Sequence, residues 1–504
     1  MRFRDNLQHS NLREIRHRKP GDISLRRPPI KSKRLRRVLG IAGLYSAGYG
    51  DVGSSIYYAL GIVVIAAMGA TPLVLFGAGV LFICTALTYA EGATMLPEAG
   101  GSAGFARHGF NNHIGFVAAW ALMLSYVVII SISAFTIPPY LGHFWEPLKT
   151  DPMIGTAVSI GIIFILMTIH TVGIRESSWV NFGAVVLDAV VEVSMIILGL
   201  ILLFSPGIRE FSGKNLVDNM FHNENWPSTT NLVYGIAVAA LAYTGVETVS
   251  QRAEATRLPH IRVPKALILM IFTVLIMYSG ISIVALSALS PETLATEWAR
   301  DPVAGIAHTF PFESLRMVFE PMVAVLATVI LMIACNAGLM GVSRLTSQMG
   351  RNQQLPSVLH HVYSRFKTPY IAILLFSAVA MLLLIPGLFG EDNKGIFSDI
   401  GGLYAFGALL SFAFAHLSIL ALRIRKPDWD RPFKLRGNIK IKGRELPVTA
   451  LFGLVATIAV WLVIIAVQDF SRWAGFSWML LGIGGYLIYH WGKGARVKAR
   501  ESPD

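Results

Sequence analysis

The sequence predicts an all-α polytopic membrane protein of about 12 transmembrane helices, and three observations predict it. Of its 504 residues, 54% are hydrophobic and only 14% are charged, against roughly 25% charged in soluble domains. The mean hydropathy is +0.57. Apolar runs reach the ~20 residues that cross a bilayer as a helix, and they recur along the chain. The two cysteines, Cys84 and Cys335, lie inside such runs. They offer neither a disulfide framework nor a metal cluster and read as small buried residues.

Spans are expected at about 38–67, 71–97, 114–141, 153–174, 179–204, 231–249, 266–288, 317–346, 369–387, 398–424, 447–468 and 472–492. With the N-terminus inside, 36 of the 43 Lys and Arg fall in inner segments and 7 in outer loops. That asymmetry predicts a multi-pass protein of the cell membrane with an even span count and both termini cytoplasmic. Residues 1–37 hold 13 Lys and Arg against Asp5, Glu14 and Asp22. This tail has no hydrophobic core, so it is not a signal peptide. It reads as a cytoplasmic topology anchor beside anionic lipid rather than as a nucleic-acid-binding arm. The inner loop 425–446 is basic and short, and the tail 493–504 is about a dozen residues. Function must therefore reside in the membrane core and its short loops.

Two spans are interrupted, and they correspond. The first carries "GYGDVGSS" at 48–55, the sixth "AYTGVETVS" at 242–250. They are five spans apart, as expected if residues 38–204 (spans 1–5) and 231–424 (spans 6–10) are two inverted repeats, followed by spans 11 and 12 at 447–492. Gly-interrupted segments at matching places in two halves point to a transporter binding site. Unwound backbone must line a cavity, because lipid cannot satisfy it. Each break also holds a carboxylate, Asp51 or Glu247.

Several phrases resemble the amino acid–polyamine–organocation (APC) superfamily. They are "YAEGATMLPEAGGSAGFARHGF" (89–110), "AYTGVETVSQRAEATRLPHIRVPKAL" (242–267) and "NAGLMGVSRLTSQMGRNQQLPSVLHHVYSRFKTP" (336–369). The resemblance covers most of residues 40–425. It implies the LeuT-like five-plus-five inverted-repeat fold with broken helices 1 and 6, and two further helices. The first break departs from ordinary amino acid permeases, whose G-[ST]-G pattern frees amides for a substrate carboxylate. Asp51, Ser54, Ser55 and Tyr58 fit D-x-x-[ST]-S-x-x-Y, which is similar to the KUP and KimA potassium importers. That similarity implies a K⁺ site at Asp51 and Tyr58, with Thr244 and Tyr404 as further ligands. Ser125, in "SYVVI", stands where KimA carries a second Asp.

From the residues alone, an intramembrane Asp51 costs ~3 kcal/mol or more and is a functional-site hypothesis by default. It would attract a cation, with oxygens from Ser54, Ser55, Tyr58 and broken backbone completing the shell. The blander reading is an Asp capping the second half-helix near Ser54. Asp188 and Glu192 lie four residues apart on one face of span five and can share a proton. The alternative there is an interhelical hydrogen bond or ion pair. Glu247 can cap the second break or relay protons. Glu91 reads as a helix-to-helix polar contact or inner-gate partner, and Tyr126 as a core aromatic.

No enzyme signature, cofactor motif or nucleotide-binding loop is present, so an ion gradient or the membrane potential is expected to drive transport. The leading expectation is a proton-coupled secondary transporter importing a small cationic solute, potassium first. The competing expectation is an amino acid or amine permease. In it an amine contacts Asp51 and amides near Gly53 and Ser54 take any carboxylate. The remote one is a non-transporting sensor on a transporter fold.

Overall fold

Helices occupy all twelve stretches in which the sequence predicts spans. The computed structural model describes residues 40–98, 100–173, 178–205, 211–222, 226–361, 368–390, 393–441 and 443–501. The basic tail at 1–37 lies outside the described residues. Among the described residues, nine helical stretches are long and apolar enough to cross a membrane. The first of them, Ile41–Met95, holds three helices in its 55 residues, Ile41–Val52, Ile56–Ala67 and Thr71–Met95, the last two joined through a 3₁₀ turn at Met68–Ala70. Tyr370–Leu382 is apolar but shorter, and Asp469–Glu501 closes the chain.

Local chemistry explains where these helices start and stop. Asp151 accepts from the Met153 and Ile154 amides and Pro152 occupies the first turn, so Pro152–Val172 begins there. It ends at Gly173, whose φ of 79° suits a residue without Cβ. Asn111 and Ser228 cap Asn112–Leu141 and Thr229–Ala239 in the same manner.

Burial separates the helices into an inner and an outer set. The most apolar window of Asn112–Leu141 is 83% buried, and those of Ile41–Met95, Thr229–Gln251 and Asn393–Arg425 are each 78% buried. In Val448–Val467 the figure is 28%. The inner helices carry Gly, Ala, Ser and Thr at their contacts, which lets backbones approach closely. The outer ones present Leu480, Leu481, Ile488 and other large apolar side chains to the surroundings.

Two polar clamps hold the loops to this bundle. Glu91 is fully buried. It accepts from Arg423 Nε at 2.7 Å and Nη2 at 2.6 Å, and from the Leu435 amide at 2.9 Å. It therefore fixes the segment after Asn393–Arg425, which continues into a two-stranded antiparallel hairpin, Asn438–Ile441 with Arg444–Pro447. Glu98 pairs with Arg107 at 2.8 Å and with His108 at 3.0 Å. Burial pushes the Glu98 carboxyl up, but the His108 hydrogen bond and the Arg107 charge outweigh it and hold the carboxyl below its usual range. That contact stands at neutral pH and is lost as pH falls through the lowered value.

At the opposite end, Lys149 bonds Asp301 at 2.7 Å and lies 3.5 Å over the Trp298 ring. The intervening Ala299 carbonyl rests on Gly61, where a Cβ would come within 1.7 Å of it. The loop between Pro259–Ala288 and Glu313–Arg351 is thus seated in the first span's second half.

Candidate functional site

The two interruptions differ in kind. At the second, the chain leaves a 3₁₀ turn at Ala240–Tyr243, becomes extended at Thr244, and reaches φ +113° at Gly245 before Val246–Gln251 resumes. A Cβ at Gly245 would lie 2.4 Å from Val52 and 3.1 Å from the Gly48 carbonyl. Only glycine permits both the left-handed backbone and this approach. The first interruption is not unwound. Ile41–Val52 passes through one 3₁₀ turn, Gly53–Ser55, into Ile56–Ala67, with right-handed helical angles at Val52, Gly53, Ser55 and Ile56. The Gly53 amide donates to the Tyr49 carbonyl.

That difference corrects part of the expected site. In the structure, Ser54 Oγ donates to the Asp51 carbonyl at 2.7 Å, and Ser55 Oγ lies 3.4 Å from the same carbonyl and 2.8 Å from the Tyr58 hydroxyl. A turn that tightens keeps its hydroxyls for its own backbone. Ser54, Ser55 and Tyr58 therefore do not line the cavity with Asp51. Gly53 does not either. Its missing Cβ makes room for the Tyr49 ring, which would lie 2.6 Å away.

The cavity between the interruptions is lined by Asp51, Ser125, Thr244, Glu247 and Tyr404, together with Tyr126, Gly245, Leu122 and Ile129. Five residues expected from the sequence thus meet in one place, from four stretches of chain. Asp51 Oδ2 accepts from the Thr248 hydroxyl at 2.6 Å, while Oδ1 is buried without a partner. Ser125 Oγ is likewise unpartnered, held against Gly407, where a Cβ would lie 2.9 Å from it. Tyr404 donates to Thr244 Oγ1 at 2.7 Å, and Thr244 donates to the Leu241 carbonyl. Glu247 Oε2 accepts the Gly245 amide at 3.1 Å, so this carboxylate caps the break. Asp51 caps nothing in the second half-helix, because the turn there never frees its amides.

Asp188 and Glu192 lie elsewhere. Tyr57 donates to Asp188 Oδ1 at 2.5 Å and Tyr49 to Glu192 Oε2 at 2.9 Å. Asp188 Oδ2 and Glu192 Oε1 are buried and unpartnered. Tyr49 and Tyr57 are eight residues apart on one face of the first span, and Asp51 projects from another. One helix thus touches the cavity with Asp51 and the acid pair with its tyrosines.

Three further residues escape sequence reading. Thr248 is the hydrogen-bond donor to Asp51. Tyr126 is a buried core aromatic, as expected, but it also lines the cavity and accepts from Gln251 Nε2 at 2.5 Å. The Tyr278 hydroxyl lies within hydrogen-bond distance of both the Val52 and Ala242 carbonyls, bridging the two interruptions. A Thr one turn from the second break was the available signal for Thr248, and the two tyrosines lie in uninterrupted helices that carry no such mark.

Residues 39–488 match a family model described as amino acid permease. The chain belongs to the amino acid permease family. The family consists of membrane transporters and not of enzymes. Among similar proteins, an uncharacterised transporter of Mycobacterium tuberculosis is 25% identical over 426 residues, covering 84% of this chain and 85% of that one. An aspartate-proton symporter of Bacillus subtilis is 25% identical, covering 82% and 74%. A branched-chain amino acid permease of the same organism is 24% identical, covering 91% and 94%. The two relatives whose descriptions name a substrate are amino acid transporters, so the competing expectation fits better than potassium.

Proposed function

We propose that this permease carries amino acids across the cell membrane in symport with protons, and that Asp51 holds the substrate ammonium. The observation that carries this reading is the free Oδ1 of Asp51. It is a buried acceptor in a cavity enclosed by both interruptions, with its other oxygen fixed by Thr248. Ser125 Oγ and Glu247 add acceptors around the same space, which suits an ammonium better than a carboxylate. Uptake into proteoliposomes under an imposed pH gradient, with an amino acid panel and K⁺ side by side, tests it. Accumulation of an amino acid is expected. Uptake of K⁺ alone would return the potassium reading.

Asp188 and Glu192 supply the proton site in this proposal, with Tyr49 and Tyr57 as the link to the cavity. Each acid is buried with one oxygen free, so the pair is cheaper to bury holding a proton than fully ionised. Asp188→Asn or Glu192→Gln is expected to lower pH-driven accumulation about tenfold or more, one pH unit of drive being worth 1.36 kcal/mol. Exchange of labelled for unlabelled substrate should fall far less. Normal pH-driven accumulation in both variants would exclude the pair.

The halves 38–204 and 231–424 form the inverted repeats in this reading, and both termini face the cytoplasm. Cysteines at Lys214 and Lys394 should then label from outside intact cells, and those at Arg351 and Lys440 only after permeabilisation. External labelling at 440 would reverse the orientation.

A further inference from the structure

This inference rests on the permease reading and concerns the part of an amino acid that the cavity leaves unmatched. A zwitterion carries a carboxylate as well as an ammonium. The two charged groups that line the cavity, Asp51 and Glu247, are both acidic. The amides nearest the interruptions are engaged. Gly53 donates to Tyr49, Thr244 to Leu241, and Gly245 to Glu247.

Two arginines lie close in sequence to residues that touch Tyr126, one of the side chains lining the cavity. Arg252 follows Gln251, whose Nε2 holds the Tyr126 hydroxyl at 2.5 Å. The Tyr126 ring lies against Gly341, where a Cβ would meet it at 2.5 Å. Arg344 is one turn further along that helix, on the same face. Tyr126 lines the cavity and touches both of the segments that carry the arginines. Both side chains are half-buried. Among the described residues, neither joins an ion pair. The Arg252 charge is near enough to act on both Arg344 and Asp51. Two unpaired like charges held together at the edge of an apolar bundle are unfavourable until an anion joins them.

We propose that Arg252 and Arg344 form a carboxylate site at the mouth of the cavity, which takes the substrate carboxylate when the Tyr126–Gln251 hydrogen bond opens. Guanidinium forks match a carboxylate's two oxygens. The substrate then lies with its ammonium at Asp51 and its carboxylate leading toward the mouth, which the proposed orientation puts on the cytoplasmic side. The pair separates amino acids from simple amines. An amine is held at Asp51 but gains nothing at the mouth.

The site can be tested first without transport. The purified full chain is treated with phenylglyoxal, and modification at each arginine is read by peptide mass spectrometry. Sodium propionate should slow modification of Arg252 and Arg344 several-fold, while propylammonium chloride leaves it unchanged. Equal reactivity with and without propionate overturns the site. In proteoliposomes, competition by leucine and by isopentylamine is then compared. Arg344→Gln and Arg252→Gln should each weaken leucine competition about tenfold, the fold-change of 1.4 kcal/mol, with isopentylamine unaffected. Arg344→Lys should fall between. Equal loss of both competitors would assign the arginines a structural role and overturn the proposal. If the wild-type protein takes up no amino acid, the permease reading falls, and protection by propionate still decides the arginine site.

Discussion

Asp51→Asn should reduce uptake by about 100-fold or more while the protein still folds and inserts. Asparagine preserves the size of the side chain, and its carbonyl oxygen can still accept the Thr248 hydroxyl that bonds Asp51 Oδ2 at 2.6 Å. What disappears is the charge. Losing one partner of a desolvated charge contact costs about 2–5 kcal/mol, which is roughly 30-fold to several thousand-fold in affinity. The fold should tolerate the change, because removing an incompletely solvated carboxylate relieves desolvation. Gel filtration and thermal unfolding in detergent check the fold, and proteoliposome uptake checks the function. A normally folded variant with uptake within twofold of wild type would mean that Asp51 is not the counter-ion of the substrate.

Glu91→Gln should destabilise the protein by about 3 kcal/mol or more. The substitution leaves Arg423 buried with no counter-charge, and breaking a buried pair from one side typically costs 3–5 kcal/mol. It also weakens the acceptor for the Leu435 amide, so the segment between Arg425 and Asn438 loses its anchor. The expected signs are a lower unfolding temperature in detergent and faster tryptic cleavage at Arg436. Removing both charges, with Glu91→Leu and Arg423→Met, should recover only part of the loss, because Arg431, whose Nε lies 3.6 Å from Glu91, still loses its counter-charge. An unchanged melting temperature in Glu91→Gln would show that the clamp contributes nothing.

The membrane class and the positions of the helices were legible in the sequence because apolar length is a local property. Twenty apolar residues are costly to leave in water wherever they occur. Asp51 and Glu247 were legible for a related reason, since an acid inside an apolar run must be accounted for. Ser125, Thr244 and Tyr404 came into view only through the likeness of single positions to the KUP and KimA importers, and the structure brings them to the same cavity. The tertiary structure decided which way the oxygens face. Whether "DVGSS" unwinds or tightens depends on the helices around it, and a difference of one turn moved Ser54, Ser55 and Tyr58 out of the cavity. The partners of Asp51, Asp188 and Glu192 were equally invisible. Thr248 lies 197 residues from Asp51, and Tyr57 and Tyr49 lie 131 and 143 residues from their acids. A hydrogen bond across that separation is set by where two helices cross, and no local pattern of residues encodes the crossing.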